Sequence, residues 1–219
     1  PLMFGTVSVG STRGASSHMQ NPFMILCDKE ANEEYGSAYG FGLVYSGGFI
    51  ASASRSQTKD TRVLMGINPE NFNFELKPQE SFTTPEVAMV YSDQGFAKMS
   101  HNFHKAIRNN LCRGKYKTAQ RPVLINNWEG TYFNFNGDKL VAMAKDASEL
   151  GVELFVMDDG WFGKRDDDHS GLGDWTPNEK KLQGTLKSLA ERINETGMKF
   201  GIWFEPECIS VDSDLYRAH

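Results

Sequence analysis

The chain has 219 residues, of which 39% are hydrophobic and 12% aromatic, so it is long and apolar enough for one large domain or two small ones. Its formal net charge of −5, with acidic and basic residues intermixed, argues against a nucleic-acid surface and against a polybasic membrane patch. No apolar run reaches the roughly 18 residues that a transmembrane helix needs, and residues 1–10 lack the basic and apolar segments of a signal peptide.

The three cysteines, Cys27, Cys112 and Cys208, are far apart, odd in number and form no C-x-x-C pair. Such a pattern is more typical of a reducing compartment than of a disulfide scaffold. We therefore predict a cytoplasmic protein with no nucleic-acid or membrane partner.

Apolar residues alternate with period 2 through much of the first 92 residues. The alternating runs are 39–45, 63–67, 72–76 and 87–91, and turn-forming segments such as 46–48, 68–71 and 77–79 separate them. Short alternating strands with regular turns predict an antiparallel sheet, here part of a β-sandwich.

The period changes to that of a helix after residue 92. Asp93 can cap a helix whose apolar residues recur every three or four positions, at Phe96, Met99, Phe103, Ile107 and Leu111. A basic stretch over 113–122, which contains Gly and Pro, then indicates a linker into a second domain.

From residue 122 onward, predicted strands and helices alternate. The strands are 123–128, 152–157 and 199–204, one helix starts at Asn136 and stops at Gly151, and another ends at Gly197. The order β-α-β-α-β predicts a parallel sheet or a (β/α)8 barrel. A complete barrel needs eight strands and about 250 residues, so this is either a very small α/β domain or the opening of a barrel.

Aromatic and acidic residues follow the three predicted strands. Trp128 closes the first strand, Asp158 and Asp159 follow the second, and Trp203 lies at the end of the third. An indole can pack against the C–H face of a sugar ring, and a carboxylate can accept hydrogen bonds from two neighbouring hydroxyls. Any one of these residues could simply pack in the core or be a solvated charge in a loop. Because such residues occur at all three predicted strand ends, a sugar-binding site is favoured.

The spacing of the acids does not favour a catalytic pair. Glycosidases need two carboxyls that face each other across roughly 5–9.5 Å, whereas adjacent residues such as Asp158 and Asp159 point to opposite faces of a strand. Glu205 and Glu207 would share a face, but the intervening Pro206 interrupts the strand.

Motifs for metals and cofactors fail their spacing tests. The acidic run 166–171 begins like an EF-hand loop but has Pro177 where the twelfth ligand should be Glu. His101 and His104 lack a third ligand, and the chain has no dinucleotide loop, phosphate loop or serine-hydrolase elbow. We predict no metal and no cofactor.

Several short motifs lie at these strand ends and upstream of them. They are R-G-A-S-S-H (13–18), N-P-F (21–23), N-N-W-E (126–129), D-D-G-W-F-G (158–163), G-D-W (173–175), G-M-K-F-G-I-W-F-E-P-E (197–207) and S-D-L-Y-R-A-H (213–219). Together they closely resemble the α-galactosidases of glycoside hydrolase family 36, and the resemblance covers essentially the whole chain.

The resemblance implies an enzyme with an N-terminal β-supersandwich, a central (β/α)8 barrel and a C-terminal β-domain. It would hydrolyse terminal α-galactosides, such as melibiose and raffinose, with retention and without metal or cofactor. On this basis we expect the end of the supersandwich over 1–92, a connecting helix and linker over 93–121, and the first three strands of an incomplete (β/α)8 TIM barrel over 122–219.

The resemblance also assigns roles to residues of this chain. Asp158 and Asp159 match acids that hold galactose hydroxyls, and Trp128 and Trp203 match tryptophans that wall the sugar pocket. The nucleophile of the family is an Asp in a K-W-D-x-N motif, and the acid/base is an Asp after an S-C-x-x-G-G segment. Neither motif occurs in the chain, so we expect no catalytic residue before His219 and no turnover by these residues alone.

The partner implied by the resemblance is a galactose-containing oligosaccharide, bound by a parent protein that is a homo-oligomer. Other functions remain open at this point. The chain could be a non-catalytic galactose-binding protein or a purely structural fragment. Within the family, its parent could be a raffinose-synthase-type transglycosylase or an α-N-acetylgalactosaminidase.

Overall fold

The computed structural model describes residues 2, 4–15, 19–70 and 72–219. Residues 16–18 of the R-G-A-S-S-H motif and residue 71 of the predicted turn 68–71 lie outside the described part. The chain divides into two compact units, Pro1–Thr118 and Ala119–His219. No helix among the described residues is long and apolar enough to cross a membrane.

The first unit contains two three-stranded antiparallel sheets. One has the strand order β1-β4-β5 and the other has the order β2-β3-β6. The strands are β1 (Gly5–Ser11), β2 (Phe23–Cys27), β3 (Ala38–Leu43), β4 (Phe49–Arg55), β5 (Thr61–Ile67) and β6 (Val87–Ser92). The predictions of alternating strands within 39–45, 63–67 and 87–91 are therefore confirmed. Strands β1, β2 and β4 were not predicted.

The predicted strand over 72–76 is wrong, since the described residues 72–76 pair with no other strand. Phe72 and Phe74 instead pack on Phe82, with ring centroids 5.9 and 4.6 Å apart. Glu80 N donates to Lys77 O at 3.0 Å, so the chain turns directly after this segment. The alternating aromatic residues thus form a cluster with one another.

Helix α1 (Gly95–Ala106) continues into a π-helical turn, Ile107–Leu111, and packs on the sheet β2-β3-β6. Met99 and Phe103 are buried against Ala38. Gly40 permits this close approach, because a Cβ at that position would lie 2.6 Å from the Phe103 ring.

The predicted cap at Asp93 is wrong. Gln94 is the N-cap residue, and no side chain caps the helix. The amides of Phe96 and Ala97 donate instead to the carbonyl oxygens of Asn32 and Glu33, at 2.9 and 3.0 Å. A neighbouring loop therefore satisfies the first amides of the helix in place of a side chain.

The second unit is a parallel sheet with the order β7-β8-β9. Its strands are β7 (Leu124–Asn126), β8 (Leu154–Met157) and β9 (Lys199–Ile202). Its helices are α2 (Trp128–Thr131), α3 (Gly137–Glu149), α4 (Glu179–Leu182), α5 (Leu186–Asn194) and α6 (Asp214–Ala218). The predicted alternation of strand and helix is confirmed, although the strands are shorter than expected and end before Trp128 and Trp203.

Helices α3 and α5 bury their apolar faces against the sheet. The core of the unit includes Leu140, Ala144, Phe155, Leu189 and Ile193. The side chains of Asn136 and Thr185 cap the two helices by accepting hydrogen bonds from Lys139 N and Ser188 N. Sequence periodicity alone suffices to predict such amphipathic helices.

The apolar spacing of the helix predicted over 136–151 would also place Leu150 on its buried face, but this is wrong because the residue is 86% exposed. Helix α3 ends at Glu149, so Leu150 is its C-cap residue, and Gly151 follows with φ of +86°. The change of backbone direction there turns Leu150 away from the core.

Polar contacts join α3 to the segment around α5. Arg192 donates from Nη2 to Asp138 Oδ1, and Gln183 Nε2 donates to Asp138 Oδ2 at 3.0 Å. The hydrogen bond from Arg192, followed by that from Gln183, lowers the pKa of Asp138.

The two leucines on and beside α3 allow a matched test of this packing. We expect Leu140→Ala to lower the free energy of unfolding of the chain by about 2–5 kcal/mol, since its side chain is fully buried. Leu150→Ala should change it by less than about 0.5 kcal/mol, because Leu150 makes little contact with the core. Urea denaturation followed by tryptophan fluorescence measures both values, and equal losses in the two variants would contradict the described register of α3.

Candidate functional site

The candidate site lies at the carboxyl edge of the sheet β7-β8-β9. Because all three strands are parallel, the residues that follow them emerge at the same edge. Asn126 ends β7, Asp158 and Asp159 follow β8 directly, and Trp203 follows β9 directly. The sequence prediction therefore located the correct strand ends.

Asp158 is 9% exposed and is held from two sides. Its Oδ2 accepts a hydrogen bond from Asn126 Nδ2, and its Oδ1 accepts from Asp159 N at 2.7 Å. Its own amide donates to Asn127 Oδ1 at 2.8 Å. Asn126, the last residue of β7, thus orients the carboxylate, and Asn127 holds the backbone of Asp158.

Asp159 is held by a different set of donors. Arg165 Nη2 lies 2.7 Å from Oδ2, and Arg165 Nε lies 3.0 Å from Oδ1 and 3.1 Å from Oδ2. Gly160 N donates to Oδ1 at 2.6 Å. The side chains of Arg165 and Asp159 are only 4% and 7% exposed, so the two form a buried ion pair.

Gly160 makes the tight turn after the two acids possible. Its φ is +94°, and a Cβ there would lie 2.9 Å from the Phe133 ring and 3.2 Å from Arg165 O. Only glycine combines this backbone conformation with so close an approach. The turn lets adjacent acids leave the strand and meet different partners.

Trp128 is partly buried at the start of α2. Its amide donates to Asn126 Oδ1 at 2.7 Å, so the Asn126 side chain joins Trp128 to Asp158. Its ring packs edge-on against Tyr132 and Phe133, with centroids 5.3 and 5.0 Å apart. The predicted residues Trp128, Asp158 and Asp159 are therefore connected through one network.

Trp203 is also partly buried, and its amide donates to Met157 O at 2.9 Å. Met157 directly precedes Asp158, so this bond fixes the chain after β9 against the residue before the two acids. Trp203 O accepts from Trp161 Nε1 at 3.0 Å, and the Trp203 ring lies 6.3 Å from that of Trp175. Trp161, Trp175 and Trp203 thus form an aromatic cluster at this strand end.

Glu129 and Tyr132 add a second polar pair near Trp128. Tyr132 Oη donates to Glu129 Oε2 at 3.2 Å. This hydrogen bond, together with the negative charge of Glu129, raises the pKa of Tyr132. In this pair the phenol donates and the Glu129 carboxylate accepts.

Several residues of the site were not singled out from the sequence. Asn126, Asn127 and Arg165 hold the acids in place, but no role was predicted for them, although Asn126 and Asn127 belong to the N-N-W-E motif. Asn127 is fully buried and donates from Nδ2 to Thr131 Oγ1 at 2.8 Å. Two amides at a strand end are a usable sequence signal, because a buried amide needs partners. Arg165 sits in a charged loop that offers no comparable signal.

The remaining predicted acids behave differently. Glu205 is partly buried and Glu207 is exposed, and β9 ends at Ile202, so neither lies on a strand. Asp166 accepts a hydrogen bond from Lys181 Nζ at 3.0 Å at the start of the run 166–171. No group of His, Cys, Asp or Glu suited to a metal ion occurs in the part of the chain that the structure describes.

Comparison with known proteins gives a consistent assignment. The family model Melibiase matches residues 81–219, and the model for the glycosyl hydrolase family 36 N-terminal domain matches residues 1–77. Alpha-galactosidase AgaA of Geobacillus stearothermophilus is 54% identical over all 219 residues of the chain, which covers 30% of AgaA. The bifunctional alpha-galactosidase/sucrose kinase AgaSK of Mediterraneibacter gnavus is also 54% identical over the whole chain, which covers 23% of AgaSK.

Solved structures agree with the sequence comparison. The crystal structure of AgaA superposes with a TM-score of 0.93 over the whole chain, which covers 30% of AgaA. The galactosidase domain of AgaSK gives a TM-score of 0.92, with the same coverage. The chain thus spans about 30% of the length of AgaA and of this AgaSK domain. The resemblance to family 36 α-galactosidases is confirmed, and the chain belongs to the melibiase family.

Proposed function

We propose that the chain is part of a retaining α-galactosidase and that it supplies part of the galactose pocket. The observation that carries this proposal is the pair of buried carboxylates, Asp158 and Asp159, fixed at the carboxyl end of β8. The names of the relatives support it. Variants of AgaA have been solved in complex with stachyose, with raffinose and with 1-deoxygalactonojirimycin.

The two acids suit the binding of sugar hydroxyls. A carboxylate has about four lone-pair positions, and hydrogen bonds to a charged acceptor are stronger than neutral ones. Neighbouring protein donors orient both groups, so neither has to be ordered when a ligand arrives. Trp128 and Trp203 flank them at adjacent strand ends and provide apolar ring surface for the C–H face of galactose.

The same geometry argues against a catalytic role for these acids. Asp158 and Asp159 are consecutive and are held by separate donor sets, whereas a retaining enzyme needs carboxyls on opposite sides of the scissile bond. The chain contains neither K-W-D-x-N nor S-C-x-x-G-G. The nucleophile and the acid/base would then belong to another part of the longer protein.

The finer description of the fold is part of this proposal. The two antiparallel sheets would be the end of a β-supersandwich over 1–92, followed by a connection over 93–121. The parallel sheet over 122–219 would be the first three strands of a (β/α)8 barrel. Within the described residues β7 and β9 each pair on one side only, which suits strands that have further neighbours in a longer protein. A cytoplasmic location and a homo-oligomeric parent remain proposals of the same kind.

We expect the 219-residue chain alone to release no 4-nitrophenol from 4-nitrophenyl α-galactoside, because it lacks both catalytic carboxylates. AgaA, assayed in parallel, is the positive control. Either a burst or steady release by the purified chain would contradict this division of the site.

The sugar-holding role is testable in a chimera in which residues 1–219 replace the matching segment of AgaA, hereafter the AgaA chimera. Asp158→Asn should raise KM for the α-galactoside about 10- to 150-fold, because an amide nitrogen replaces a charged acceptor. Steady-state kinetics at constant pH measure the change.

Asp146→Asn is the matched control, since Asp146 is an exposed aspartate on α3. It should leave KM within about twofold, as expected for a surface substitution. An unchanged KM in Asp158→Asn, with a melting temperature equal to that of the parent chimera, would contradict the proposed role of Asp158.

A further inference from the structure

Arg165 is the least expected member of the site, because it is a buried charge in a loop that is otherwise mostly exposed. It is 4% exposed, while the neighbouring Lys164 and residues 166–169 are exposed. The charges of this loop therefore differ in burial, and only Arg165 turns inward.

Arg165 is itself fixed from several directions. Its Nη1 donates to Ser170 O at 2.8 Å, and its guanidinium carbon lies 5.6 Å from the centre of the Phe133 ring. Gly171 lies against its stem, since a Cβ there would be 3.2 Å from Arg165 Cβ. The planar guanidinium is thus held in one orientation before any ligand binds.

The two carboxylates accept hydrogen bonds from different numbers of N–H groups. Asp159 accepts from three N–H groups, namely Gly160 N, Arg165 Nε and Arg165 Nη2. Asp158 accepts from two, Asn126 Nδ2 and Asp159 N. The Arg165 Nε–H is shared between both oxygens of Asp159, so with about four lone-pair positions on each carboxylate Asp159 keeps less acceptor capacity than Asp158 does.

We propose that Arg165 is a positioning residue that acts through Asp159, an inference that rests on the proposed galactose pocket. By binding both oxygens of the carboxylate, the guanidinium limits the acceptor capacity that Asp159 has left and directs it toward one ligand hydroxyl. Arg165 then contributes to the choice of sugar without touching the sugar.

A purely structural role is the competing explanation. A buried ion pair is in general a weak source of stability, and apolar residues of similar volume can replace it at little cost. The position of this pair directly beside Asp158, at the strand end, favours a role in orienting an acceptor. The two explanations predict different responses to ligand hydroxyls.

The experiment measures how strongly three sugars inhibit turnover of the α-galactoside by the AgaA chimera. The sugars are galactose and its 4-deoxy and 6-deoxy analogues, and the result for each is an inhibition constant. In the parent chimera, each missing hydroxyl should weaken inhibition. Asp159→Asn identifies the hydroxyl from which Asp159 accepts a hydrogen bond. In this variant, the deoxy analogue that lacks that hydroxyl should inhibit as well as galactose does.

Arg165→Lys keeps the positive charge but lacks the planar fork. We expect it to weaken inhibition by galactose about 10-fold, which is the scale of one charged hydrogen bond. It should also reduce the ratio of inhibition constants between galactose and the analogue that lacks the hydroxyl assigned to Asp159. The ratio for the other analogue should not change. In turnover of the α-galactoside, KM should rise about 10-fold and kcat should change by less than about threefold.

Arg192→Met is the matched control, because Arg192 forms the more exposed ion pair with Asp138 on the helices. It should leave all three inhibition constants within about twofold. The double variant Asp159→Asn with Arg165→Met removes both buried charges, so it should fold and should show the hydroxyl penalties of Asp159→Asn alone.

The outcomes separate this inference from the proposed function. If neither Asp158→Asn nor Asp159→Asn weakens inhibition, the galactose pocket itself is wrong. If both variants weaken inhibition, the effect of Arg165→Lys decides the positioning role. That role is overturned, and Arg165 is structural, if Arg165→Lys weakens inhibition by all three sugars equally, lowers only the melting temperature or prevents folding.

Discussion

β8 pairs in parallel with β7 on one side and with β9 on the other, and this double pairing determines where every group of the candidate site lies. Parallel strands place their carboxyl ends at one edge, and helices must cross the sheet to connect them. Helices α3 and α5 make those crossings and bury Leu140 and Ile193 against the sheet. The core also reaches the carboxyl edge of the sheet, where Trp161 is buried in it and Trp203 packs against it, so the site residues stand on a rigid base.

Two carboxylates at such an edge create an electrostatic cost that the surrounding structure must offset. Burial removes water from an ionised group, so N–H donors must replace the lost hydrogen bonds. Asp158 receives them from β7 and from the backbone, and Asp159 receives them from the loop that follows. Among the described residues, no buried side-chain nitrogen or oxygen lacks a partner. A pocket built in this way is ordered before its ligand binds.

The strands that could be predicted are those with strong contrast between neighbouring side chains. Strands β3 and β6 alternate large apolar residues with small or polar ones, whereas β1 and β4 are built largely from glycine, serine and alanine. Small side chains carry little hydrophobic contrast, so their pairing depends on partners that are distant in sequence. Residues 72–76 show the reverse: their apolar residues alternate clearly, yet Phe72 and Phe74 pack on Phe82 and the segment pairs with no strand.

The order of strands and helices in the second unit can be predicted from the sequence, as can the positions of Trp128, Asp158, Asp159 and Trp203 at or just beyond strand ends. Those features depend on local periodicity and on residues close together in the chain. Which donor each acid receives depends on the folded chain, in which Arg165 is buried although the neighbouring Lys164 is equally basic. The sequence does not reveal this choice, because the burial of a charge depends on the fold around it, here on the turn at Gly160 and the close approach at Gly171.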